Sequence, residues 1–188
     1  MKTFIKVAVL AAGLFFTGSA AQAQQKFGHL NSAELLGLMP EMKAADVTLQ
    51  TFQKQKQTVA DQMTAEYQKK VTTFEDKRKT LSEANKEVLG KELEILYKEI
   101  QGMEQRITES NQKTQQELQT KQNELYQPLY KKAEEAIKVI AKEKGFAYVF
   151  DTSQPGVVYF DGGEDILPLV KAKLGIPATA TAAAPVKK

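Results

Sequence analysis

The sequence has no cysteine, no tryptophan and a single histidine in 188 residues. Without cysteine, disulfide bridges and thiol chemistry are excluded, so stability has to come from packing or from assembly. His29 has no second histidine or cysteine with which to build a zinc set, and no Ser-His-Asp arrangement surrounds it. Glycine-rich phosphate loops are also missing. Asp151, Asp161, Glu164 and Asp165 gather around turns, but their spacing matches no calcium loop, and capping or turn roles account for them. The expectation is a non-enzymatic protein with no catalytic residue, no cofactor and no metal.

Long apolar runs are scarce too. The main one, Val7 to Phe16, follows Lys2 and Lys6 and precedes Ala21-Gln22-Ala23. A short basic region, an apolar stretch and small residues before a cut form a secretory signal, and the stretch is well short of the ~20 residues needed to span a bilayer. Cleavage is expected after Ala23, delivering a mature chain that starts at Gln24 to the periplasm. Charge of one sign is lacking as well. The formal charge of +3 includes the two signal lysines, which leaves 24 basic against 23 acidic side chains. A balance this close argues against a nucleic-acid partner, which selects for basic excess on one face.

What the chain does have is helical periodicity. From Glu41 to Lys144 there is one proline, Pro128, and the segment is rich in Glu, Lys, Gln, Leu and Ala. Leu89, Leu93, Leu96, Ile100, Met103 and Ile107 advance in alternating steps of four and three, drawing the narrow apolar seam of a coiled coil. Upstream, Phe52, Val59, Met63, Tyr67, Val71, Phe74 and Leu81 also recur at helical spacing. Two long helices are predicted, Met42 to Lys79 and Glu83 to Lys144, with a turn within 80–90 and Ser82 as its N-cap. A turn near residue 83 places 105–114 opposite 53–62 and predicts a soft polar level there. Pro128 is expected to kink the second helix without ending it, and Gly145 to stop it.

The flanks read differently. Phe27 to Leu30 predicts a strand. FAYVFD and VVYFDGG, joined by Pro155-Gly156, predict a β-hairpin, and Asp165 to Leu174 a short amphipathic helix. The fold class is therefore α+β and predominantly helical: a long antiparallel helical hairpin, a coiled-coil arm over 41–144, on a small β body made from 24–40 and 145–176. Residues 1–23 are the signal, and the alanine- and threonine-rich tail 177–188 is expected to be disordered. So few strands leave unpaired edges, and the body candidates Phe27, Leu30, Val149, Phe150, Val157, Val158, Tyr159 and Phe160 are expected to join copies of the chain.

This order of elements behind a signal peptide resembles the Skp/OmpH family of periplasmic chaperones. The resemblance is carried by KFGHLNSAELLGLMPEMKAA at Lys26 to Ala45 and by PLYKKAEEAIKVIAKEKGFAYVFD at Pro128 to Asp151. It covers nearly all of the mature chain up to about Ile176. It implies a Skp-like homotrimer in which the β bodies join and three arms surround a cavity that holds unfolded outer-membrane β-barrel proteins without ATP. Met63, Tyr67, Val71 and Phe74 are candidates for client contact, or else they zip the arm. Family members known for binding lipopolysaccharide are strongly basic. The nearly neutral mature chain departs from that pattern, and no lipopolysaccharide or membrane-surface site is carried over. The competing function is a static coiled-coil spacer or adaptor of the envelope. That role calls for uninterrupted heptads, whereas Leu118 is the only large apolar residue between Thr108 and Asn123.

Overall fold

The computed structural model describes residues 25–157 and 159–180. The signal-peptide expectation, the end of the tail from 181, and Val158 lie outside the described residues. The elements run β1 (Lys26–Leu30), α1 (Ser32–Leu38), α2 (Pro40–Lys79), α3 (Lys86–Lys144), β2 (Phe146–Asp151), β3 (Glu164–Asp165) and α4 (Leu167–Lys173).

The long helices are 40 and 59 residues, continuous and antiparallel. At 1.5 Å per residue α2 is about 60 Å long. Pro40 opens it at the first helical position, where a missing N–H costs nothing. Gly145 ends α3 in the left-handed conformation (φ 69°), its N–H returning to Ala141 and Lys142, as its position after Lys142 and Lys144 predicts. Helix α3 also runs on through Pro128.

The turn corrects one expectation. Ser82 does not cap the second helix, which starts at Lys86 after Asn85. Asn85 braces the turn instead: its Oδ1 accepts from Ser82 N at 2.7 Å, and its Nδ2 donates to Thr80 O at 2.9 Å. A carboxamide, with an acceptor oxygen and a donor nitrogen on one short side chain, can make both bonds at once.

Against a turn at residue 83, the pairing partners on α3 sit later by about two residues near the tip and by about six at Lys56. Lys77 pairs with Glu92, Lys70 with Glu99, Lys56 with Glu117 and Lys132 with Glu41. Lys56 therefore meets Glu117 and not the neighbourhood of Asn111, where a turn at residue 83 would put it. The two alternatives lie about 9 Å apart along α3 at 1.5 Å per residue. A short bis-maleimide is expected to link Lys56→Cys to Glu117→Cys within one chain faster than it links Lys56→Cys to Asn111→Cys. Equal rates would return the register to the earlier value.

Helix α3 overhangs the start of α2 and carries Ala133, Ala136 and Ile140 into the body. There they join Leu30, Leu35, Leu38, Met39, Ile166, Leu167, Val170 and Ile176 in one buried core. The sheet corrects a second expectation. Its order is β2-β1-β3 with both pairings parallel, so FAYVFD and VVYFDGG do not form a hairpin. Parallel strands need a crossover between them, and here the crossover from β1 to β2 is the entire helical arm. The outer edge of β2 stays unpaired, and the chain after Asp151 does not fold straight back onto it. It loops past Val157, Tyr159 and Phe160 without strand structure and adds only two residues beyond β1. Gly163 (φ 85°) permits that entry, since a Cβ there would stand 3.3 Å from Phe27 O.

Candidate functional site

Alternation along β1 sorts its side chains. Gly28 and Leu30 face the core, while Phe27 and His29 face away. Parallel register sets Phe27 beside Tyr148 and His29 beside Phe150. The outer face is consequently aromatic: Phe27 stacks on Tyr148 at 5.8 Å and on Phe150 at 6.2 Å between ring centroids, and Phe160 leans on His29 at 4.7 Å. Phe27, Tyr148, Phe150 and Phe160 are 42–56% exposed and Tyr159 is 80% exposed. A groove of about 320 Å³ runs across this face between Phe27, Phe150, Phe160 and Gly163. No element of the described chain covers it. Clustered exposed aromatics of this kind mark an interaction surface.

Two of the body candidates do not belong to that face. Leu30 is 2% exposed and Val149 packs on the same core, so both hold the single chain together. Val157 is half-buried beside the second groove, which Phe150, Tyr159 and Phe160 also line. Tyr148 joins the face as well, since its place two residues before Phe150 in FAYVFD puts it on the same side of the strand.

A polar latch ties the end of β2 to the start of α1. Asp151, at the end of β2, accepts from Ser32 N (3.0 Å), Ser32 Oγ (2.6 Å), Ser153 N (3.0 Å) and Ser153 Oγ (2.8 Å). Partial burial pushes its carboxyl up, but the Ser32 and Ser153 donors outweigh this and bring its pKa down to about 2. The unfolded chain protonates near pH 4, so the latch stabilises above that pH and fades as pH falls toward 2. Asp151→Asn is expected to cost about 1–2 kcal/mol at pH 6, with wild type and variant converging by pH 2 in urea unfolding. A gap that persists at pH 2 would contradict this account.

The arm is the second feature. Leu93, Ile100 and Met103 are buried along α3, against half-buried Met63, Tyr67, Val71 and Phe74 on α2. The four client candidates thus lie on the side of α2 that meets α3, where Tyr67 Oη donates to Glu104 at 2.6 Å and Phe74 meets the Tyr97 ring at 6.2 Å. Val59, expected in the seam, is exposed, and Ala60 takes its place. Toward the body the seam turns polar through Ser110, Thr114, Glu117 and Lys121. Two helices cannot enclose every apolar side chain, and Val88, Ile95 and Tyr97 near the tip are more than half exposed.

Among the described residues no helix is long and apolar enough to cross a membrane. Comparison with known proteins places the architecture. A search of curated protein sequences finds no match. Among solved structures, a protein of Caulobacter crescentus assigned as an OmpH-like outer membrane chaperone superposes with a TM-score of 0.64 at 16% identity, covering 87% of this chain and 94% of that one. The fold is shared although few residues are. Residues 26–174 match the family described as outer membrane protein (OmpH-like), a span that takes in the strands, both long helices and α4, and the chain belongs to that family.

Proposed function

We propose that this chain is an ATP-independent holdase of the periplasm that keeps unfolded outer-membrane β-barrel proteins from aggregating. The supporting observation is the uncovered aromatic face of the β body at the root of a long, incompletely buried arm. Three copies joined through that face set three arms around one cavity, and the weak apolar contacts of each arm add up over a large client. A holdase needs no nucleotide and no catalytic group. It shifts the equilibrium by binding the unfolded form before strand edges and apolar surface find each other. Residues 1–23 serve as the cleaved signal that takes the chain across the inner membrane. The arm, 41–144, and the body, 24–40 with 145–176, divide the work into client holding and assembly. Nucleic acid has no place in this scheme, and the balanced charge argues against lipopolysaccharide as a partner.

The test dilutes a urea-unfolded outer-membrane barrel into buffer with the chain from Gln24 onward and no ATP. The expected result is loss of turbidity at about three chains per client, with light scattering from a complex of defined mass. Turbidity equal to that with an unrelated helical protein would overturn the proposal.

A further inference from the structure

The polar level of the arm is not uniform around α3. Between Ser110 and Asn123 the charged residues are Lys113, Glu117 and Lys121, spaced four apart on one stripe. That stripe lies toward α2 and its charges are engaged. Lys56 of α2 pairs with Glu117, Lys113 stands 3.9 Å from the same carboxylate, and Lys121 is 3.5 Å from Glu124. Gln112, Gln115, Gln116, Gln119, Gln122 and Asn123 lie away from it, flanked by Asn111, Leu118 and Thr120, with Gln116 at the edge that borders a groove to Phe52 and Lys56. At about 100° per residue these six fall within an arc of roughly 120° on the far side of the helix. All six are exposed, whereas Ser110, Thr114, Glu117 and Lys121 are half-buried against α2. Within the set, Gln119 Nε2 donates to Asn123 Oδ1 only at a long 3.4 Å. Gln101, Gln105 and Thr108 continue the arc toward the tip. The carboxylates at its margin there, Glu104 and Glu109, already accept from Tyr67 Oη and Gln105 Nε2.

An ordinary outer face of a coiled coil is charged, because charge keeps it solvated. This one carries groups that are neutral, paired as donor and acceptor on each side chain, and repeated along the helix. Those are the properties of a peptide backbone turned outward. We propose that the carboxamide face of α3, resting on the holdase function above, is a surface that hydrogen-bonds the unpaired backbone of an extended client strand. A neutral face neither selects nor rejects a client by its side-chain charge, and donor-acceptor groups complement N–H and C=O alike. The length fits the client class: Gln101 to Asn123 spans about 33 Å of helix, which matches about ten residues of strand and hence one membrane-spanning strand of a barrel.

Two measurements on the assembled chain from Gln24 onward test this. The first replaces Gln112, Gln115, Gln119 and Gln122 together by alanine, a better helix former, so that the arm stays folded by circular dichroism. A fluorescent unfolded barrel is expected to leave this variant at least tenfold faster than it leaves the parent, and an unchanged release rate overturns the proposal. The second compares a ten-residue alternating Thr-Val peptide with the same peptide N-methylated along its backbone. The unmodified peptide alone is expected to compete with the client, and equal competition by both overturns backbone recognition. If the parent chain holds no client at all, the holdase function falls, and the carboxamide proposal with it. If the parent holds client and the alanine variant holds it equally well, only the carboxamide proposal falls.

Discussion

Placing aspartate at Phe150 is expected to convert the assembled protein into single chains without unfolding them. Phe150 is about half exposed, lies on the outer face of β2 and stacks with Phe27 and Tyr148. Its removal therefore opens no cavity in the core, and the carboxylate remains hydrated in the isolated chain. In the proposed trimer the same position is covered, and burying an unpaired charge is far more costly than losing apolar area. Aromatic anchors at the centre of an interface contribute about 2–4 kcal/mol each, so the substitution should weaken association at least a hundredfold. Sedimentation velocity at micromolar concentration should show the parent as a trimer and Phe150→Asp as a monomer with unchanged helicity. The variant should also lose most of its suppression of barrel aggregation, because one arm encloses nothing. A monomeric parent, or a variant that still sediments as a trimer, would remove the aromatic face from the account.

Ile166→Ala is expected to do the opposite, unfolding the body at its root. Ile166 is fully buried, its N–H donates to His29 O at 2.9 Å, and its Cγ2 fills the space left by the missing side chain of Gly28. Truncating a buried isoleucine costs about 2–5 kcal/mol through lost transfer energy and the cavity left behind. That is a large share of the 5–15 kcal/mol typical of a whole protein. The loss is amplified because this small core joins β1, α1, the end of α3 and α4, and so carries both ends of the arm. Urea unfolding at fixed chain concentration should show the midpoint falling sharply for Ile166→Ala. Val88→Ala, at a strongly exposed site on α3, should move it by about 0.5 kcal/mol or less. Equal shifts for both would mean that the body is not the seat of stability.

Much of this architecture could be read from the chain alone. The four-three stepping from Leu89 to Ile107 marks the seam because a helix returns to the same side every 3.6 residues, whatever its partner. Gly145 stops α3 because its left-handed conformation is open to glycine and costly to other residues, and Pro40 starts α2 because φ and the missing N–H suit a first turn. These are local causes, contained within a few residues, and they were sufficient for two long helices, a turn within residues 80–90, and a strand at each end.

Non-local choices belonged to tertiary structure. Val149 and Phe150 are both β-favouring, and only the parallel pairing with β1 decided that Val149 turns to the core and Phe150 to the open face. Val157, Tyr159 and Phe160 have strand composition yet form none: the chain leaves the outer edge of β2 unpaired and crosses to the far side of β1, where it adds β3. The same holds for Lys56 and Glu117, whose pairing depends on how Asn85 closes a turn some thirty residues away from each. Sequence periodicity says which side of a helix is apolar. It carries no information about the axial offset of two helices, because sliding one along the other by a heptad leaves the pattern unchanged; only the geometry of the turn and the packing at the body select one offset.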